Sequence, residues 1–207
     1  MALGLVSEGG GNGGNIVPII KFDAKAGDLI QVDRHQNAMG EWEKAQSDVA
    51  LPVQVVMDMA EIETGWLSFA SGQPDFRMVK VGDVMPPKPS DDHKQCFRVR
   101  LFGKELGLRE FSSQAKTVIR EMDALHNQYE AGKADNPGKL PVVTIAGTKT
   151  ITVPTPQGEN RFKVPEWSIT GWTDRPAGMD GAEATPVAAP SAPPSAPVEA
   201  ASGSDLF

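Results

Sequence analysis

The sequence predicts a mainly β body with one helix and an unstructured C-terminal tail. Three observations carry this. Several segments alternate apolar and polar residues in the manner of strands. Only one segment repeats its apolar residues at helical spacing. The last 34 residues are rich in proline and alanine and hold almost no large apolar side chain.

In chain order, residues 1–15 end in a glycine and asparagine run that suits a flexible arm. Residues 16–22, Ile-Val-Pro-Ile-Ile-Lys-Phe, predict a short strand, placed at a sheet edge by Pro18. Residues 26–34 read as a turn and a second short strand, and residues 35–50 as a polar loop. Residues 52–59 set Val53, Val55, Met57 and Met59 against Gln54, Val56 and Asp58. Residues 62–70 follow, with Gly65 suggesting a bulge or bend. After the turn Ser71-Gly-Gln-Pro-Asp comes a strand at 76–81, then a proline-rich loop at 82–93. Residues 95–103, Gln-Cys-Phe-Arg-Val-Arg-Leu-Phe-Gly, have two different faces. Phe97, Val99 and Leu101 suit a core, whereas Cys96, Arg98, Arg100 and Phe102 point the other way.

The helix is expected over 112–131, where Phe111, Ala115, Val118, Ile119, Met122, Leu125 and Tyr129 recur every three or four residues. Ser112 or Ser113 would cap its start and Gly132 its end. Asn136-Pro-Gly is a turn. Residues 140–146 and 148–153 read as a hairpin across Gly147, and 161–172 as a closing strand. Several strands, one helix and several strands is the order of an OB-fold-like Greek-key barrel with N-terminal strand additions. In that mapping strand one is 52–59, strand two 62–70 extended by 76–81, and strand three 95–103. Strands four and five, after the helix, are 140–153 and 161–172. A β-sandwich or an α+β sheet with one covering helix shares the same order. The body spans 16–173 and the tail 174–207.

The net charge of −7 is unevenly spread. Residues 174–207 carry five acids (Asp174, Asp180, Glu183, Glu199, Asp205) and one base (Arg175). Residues 94–109 carry five bases (Lys94, Arg98, Arg100, Lys104, Arg109) and one acid (Glu105), so the local field there favours an anion. A lone cysteine, Cys96, allows no internal disulfide and suits a reducing compartment. No signal peptide and no membrane-length apolar run is read in the sequence, so the expected location is the cytoplasm.

The tail holds six prolines and nine alanines and ends in Gly203-Ser-Asp-Leu-Phe. Leu206 and Phe207 have no adjacent core, so a partner's pocket would bury them, with Asp205 and the terminal carboxylate against a basic rim. With the OB-type order of the body, this tail resembles that of phage and bacterial single-stranded DNA-binding proteins. The resemblance covers the last residues closely, the linker by composition and the body by element order. The tip departs from the family in having one acid where several are usual.

That resemblance implies non-enzymatic, sequence-nonspecific binding and protection of single-stranded DNA in replication, recombination or repair. It needs no cofactor, acts in the cytoplasm (the host's, if viral) and recruits replication or recombination proteins through Asp205, Leu206 and Phe207. A homo-oligomer is compatible with it. Phosphates would be tracked by Arg98, Arg100, Lys94, Lys104, Arg77 and Lys80, and bases would stack on Phe102, Trp66 and Trp172. Trp167 and Phe97 suit the core, and His126 a packed position beside the helix's apolar stripe.

Other chemistry has little to stand on. His35, His93 and His126 are far apart and the glycine run lacks the Lys-Ser/Thr of a phosphate loop. Asp58, Glu61 and Glu63 form the one tight acidic cluster, which a metal-dependent nuclease would need. A structural or assembly protein, with the sheet serving protein contacts, is the alternative from another class.

Overall fold

A computed structural model describes residues 17–37, 39–156 and 158–179. The glycine-rich arm and the terminal Asp205-Leu206-Phe207 motif lie outside these residues. The described chain is mainly β: ten strands in one mixed sheet, with a single α-helix. With β1 (Ile19–Phe22), β2 (Leu29–Gln36), β3 (Trp42–Asp48), β4 (Val53–Met57), β5 (Glu63–Ser68), β6 (Asp75–Lys80), β7 (Lys94–Gly103), β8 (Gly107–Ser113), β9 (Leu140–Thr155) and β10 (Gly158–Thr173), the sheet runs β10-β9-β4-β7-β8-β1-β2-β3, and β5 joins it by pairing with β6 and β7.

Strand β7 (Lys94–Gly103) is the hub. Its core-facing residues Phe97, Val99 and Leu101 are at most 2% exposed, as alternation requires. On one side it pairs antiparallel with β8 (Gly107–Ser113) across the turn at residues 104–106, which Gly107 closes at φ +68°. On the other side it pairs with β4 (Val53–Met57) and then with β5 (Glu63–Ser68), both antiparallel. β4 and β5 therefore form one interrupted strand, broken by the 3-10 turn Met59–Glu61. β6 (Asp75–Lys80) pairs with β5 alone. No register shift falls at Gly65. A side chain there would collide with the Arg77 carbonyl, so glycine serves the close approach of β6 rather than a bulge.

This pairing corrects the expected strand numbering while keeping the barrel-like order. Strand one of the five-strand set is β4 with β5, strand two is β7 and strand three is β8. The sequence marks no strand over 104–110 and places Phe111 to Ser113 at the helix start, because the core side of β8 alternates Phe111 with Arg109, an ion-paired arginine, instead of a second apolar residue. The helix α1 consequently begins later, at Lys116–Gly132. Ser112 and Ser113 belong to β8, and Ala115 at the N-cap has no side-chain cap. The helix buries Val118, Met122, Leu125 and Tyr129, the expected stripe.

After the helix, β9 (Leu140–Thr155) and β10 (Gly158–Thr173) form a hairpin of two 16-residue strands. Gly147 is no turn. It lies beside a register shift between Glu166 and Trp167, so the expected break is a bulge inside one strand. β9 pairs with β4 on its other side.

The N-terminal additions are β1 (Ile19–Phe22), β2 (Leu29–Gln36) and β3 (Trp42–Asp48). β1 is interior, not an edge. It pairs antiparallel with β2 and parallel with β8, and Pro18 lies just before the strand, accepting a hydrogen bond from the Glu110 amide at 2.9 Å. The expected loop at 35–50 is largely β3. That strand's described side chains are exposed, so no apolar alternation marks it. Lys163 N–H donates to the Ala24 carbonyl at 2.7 Å and draws β10 toward the β1–β2 turn.

One core fills the space between these strands and α1. Phe111 meets Phe97 edge-on at 5.3 Å and Trp167 at 6.1 Å, geometry favourable by about 0.5–1.5 kcal/mol per pair beyond burial. Trp167 donates its indole N–H to the Glu121 carbonyl at 3.1 Å. His126 is packed, its ring 5.7 Å from that of Tyr129. The body runs six residues further than expected: Ala177–Met179 form a 3-10 turn against β7 and β8, and Met179 is buried.

Cys96, on the side of β7 away from the core, is buried with its thiol 3.4 Å from the Met78 sulfur of β6, across Gly65 of β5. Burial pushes its pKa up to about 11. The native protein should resist a thiol-labelling reagent at pH 8 and label fully in urea. Rapid native labelling would show that β6 does not stay seated.

Candidate nucleic-acid interface

Side chains opposite one another across an antiparallel ladder share a face. On the outer face of β7, Arg98 therefore lies between Glu63 of β5 and Ser112 of β8. Arg100 lies beside Glu110, and Phe102 between Val56 of β4 and Leu108 of β8. The outer face opens into a cleft of about 530 Å³ whose lining includes Asp58, Glu61, Glu63, Glu110, Lys80, Arg98, Arg100 and Arg175. Four carboxylates and four cations converge there.

Most of these charges are already matched. Arg98 donates from Nε and Nη2 to one Glu63 oxygen, each at 2.6 Å, and its guanidinium sits 5.1 Å from the centre of the Phe76 ring. Glu110 is 3.9 Å from Arg98. Lys80 pairs with Glu61, whose pKa is held below the usual carboxylate range by that contact, while that of Lys80 is raised by it. Arg175 pairs with Asp58, which is 2% exposed and whose Oδ1 has no hydrogen-bond partner among the described residues. The Arg100 side chain is exposed and makes no hydrogen bond or ion pair among the described residues.

The cluster of positive charge expected at 94–109 is accordingly reduced. Arg98 is neutralised in the cleft, and Arg109 is buried with Asp33 at 2.7 Å. Lys94, Arg100 and Lys104 remain exposed without an ion pair among the described residues.

The other expected contact residues do not gather in one groove. Phe102 is half-buried, and Gly178 packs against its ring so tightly that a side chain at 178 would collide with it. Trp66 and Arg77 share the opposite face of the β5–β6 ribbon from Arg98. Trp66 is fixed there by donating to the Pro86 carbonyl at 2.8 Å, and Arg77 is 3.1 Å from Asp75. Trp172 packs at the helix, 5.7 Å from the Tyr129 ring and against Gly132, half-buried at the margin of the core. Arg175 and Glu110 were not singled out from sequence. Arg175 is the lone base in an acidic stretch, and Glu110 carries no local signal.

The acidic cluster Asp58, Glu61 and Glu63 does line one cleft, but each member is engaged with a different cation. Among the described residues, no three His, Cys, Asp or Glu side chains are grouped to hold a metal ion. No described helix is long and apolar enough to cross a membrane.

Burial raises the Glu110 pKa, with Arg98 partly opposing the shift. The folded state then holds the Glu110 proton more tightly than the unfolded chain does. Its contribution is absent below the usual glutamate range and lowers stability as pH rises through the raised value. Glu110→Gln should remove that slope, leaving the variant at least as stable as wild type at pH 7 and equal to it near pH 4. Urea midpoints across that range measure it.

Compared with protein-family models, curated proteins and solved structures, the chain matches none of them.

Proposed function

We propose that this protein binds single-stranded DNA without sequence preference and protects it during replication, recombination or repair, in a phage or bacterial setting and in the cytoplasm. The observation that carries the reading is the outer face of β7, the second strand of an OB-type order. Arg100 stands exposed there without an ion pair among the described residues, flanked along the strand and its turn by Lys94 and Lys104. The Pro/Ala-rich C-terminal sequence ending in Asp205-Leu206-Phe207 supports it, and that tip is assigned to recruiting a replication or recombination protein. The role is binding, not catalysis, and needs no cofactor.

The test is anisotropy of a labelled oligo-dT over a salt series. Binding should weaken with a slope of roughly −0.7 in log K per log salt for each phosphate neutralised. No anisotropy change at low salt would sink the proposal. A protein-contact role draws on a different observation. β6 is a sheet edge, and Val81, Val84 and Met85 just beyond it are 44%, 93% and 37% exposed. Self-association seen by light scattering, without oligonucleotide binding, would favour it.

A further inference from the structure

The β2–β3 hairpin places two cations directly opposite one another. Arg34 and Lys44 are cross-strand partners, both exposed, and neither has an ion pair among the described residues. Like charges in that position destabilise a ladder, so a hairpin that only had to fold would gain from an acid at either site. The neighbouring carboxylates are engaged elsewhere. Glu43 is 3.5 Å from His35 on the other side of the hairpin, Asp33 holds Arg109, and Glu41 lies by Asn37. Asp48, opposite Ile30, is four residues along β3.

The register shows which way the pair faces. Val99 and its partner Phe111 point into the core, so Arg100 and Glu110 point out. Ile20 pairs with Phe111 and is buried in the core, and Ile19 pairs with Glu110 on the outer side. Val32 pairs with Ile19, and Arg34 is two residues further along the same strand. Arg34 and Lys44 therefore share the outer face with Arg100, roughly 20 Å away along the sheet from β7 to β3. Lys21, exposed and with no ion pair among the described residues, is also on that face, on the opposite side of the Ile19–Val32 pair from Arg34.

We infer that Arg34 and Lys44 form a second phosphate-binding station, so that a bound single strand crosses the sheet from β7 over β1 to the β2–β3 hairpin. This rests on the nucleic-acid reading above and assigns that reading a path outside the barrel's own strands. The polyanion supplies the negative charge whose absence the hairpin otherwise bears.

The experiment is oligo-dT binding by the full chain across a salt series, for wild type, Arg34→Ala/Lys44→Ala and Lys44→Glu. Loss of two phosphate contacts should flatten the salt slope by about 1.4 and weaken binding several-fold at 50 mM salt. Lys44→Glu should weaken binding comparably while its melting temperature holds or rises, because it pairs with Arg34. That opposite movement separates lost contact from failed folding. Wild-type binding with an unchanged slope in both variants overturns this inference alone. Tighter binding by the variants also overturns it, by showing that the pair serves the chain's own acidic C-terminal segment. Absence of wild-type binding overturns both it and the proposed function.

Discussion

Arg175→Ala is expected to destabilise the protein by about 3 kcal/mol, the lower end of the range for stranding a buried charge. Asp58 is 2% exposed and Arg175 is 36% exposed, so solvent softens the loss on one side only. Water cannot readily replace the guanidinium, since Asp58 sits at the end of β4 with its amide tied to the Arg100 carbonyl at 2.9 Å. Among the described residues the second Asp58 oxygen already lacks a hydrogen bond, so none of them stands ready to replace the guanidinium. The same substitution unpins residues 176–179, whose Gly178 covers Phe102. Urea denaturation gives the number. Adding Asp58→Asn to Arg175→Ala should restore much of the loss, because the stranded group is then neutral. A change under about 0.5 kcal/mol for Arg175→Ala, the scale of ordinary surface substitutions, would show that the pair holds nothing.

Arg98→Ala and Arg100→Ala should separate cleanly, although they are neighbours on one strand face. Arg98 is held by Glu63 and stacked on Phe76, and it is 28% exposed. Its removal leaves Glu63 and Glu110 facing each other without a cation between them, at a cost of roughly 1–3 kcal/mol. The Arg100 side chain has no such partner among the described residues, so Arg100→Ala should leave the urea midpoint within experimental error and weaken oligo-dT binding with a shallower salt slope. The reverse pattern, a stability loss at 100 and none at 98, would contradict the arrangement of the cleft.

What was legible in the sequence was whatever burial writes into periodicity. Phe97, Val99 and Leu101 announce β7, and Val118, Met122, Leu125 and Tyr129 announce α1, because each set faces one continuous core. β3 left no such mark, since its described side chains are exposed. β8 was hidden by Arg109, a charge on the core side made tolerable by Asp33, 76 residues away in the chain. The site was legible by residue type and not by pairing. Arg98 and Arg100 look alike in the sequence, and only the register that brings Glu63 and Glu110 alongside distinguishes them. Trp66 and Trp172 likewise share polar strand neighbours, but one is bound by the proline-rich loop and the other by the helix.

The parallel pair of β1 and β8 has a consequence for synthesis. Ile20 waits for Phe111, which leaves the ribosome 91 residues later. At ordinary elongation rates that is on the order of ten seconds. The β2–β3 hairpin, whose contacts are local, can close within microseconds of emerging. β1 must stay unclaimed on its β8 side through that interval, with Ile20 and Phe22 bare to any chaperone. The N-terminal hairpins are thus made first and seated only once β8 has emerged.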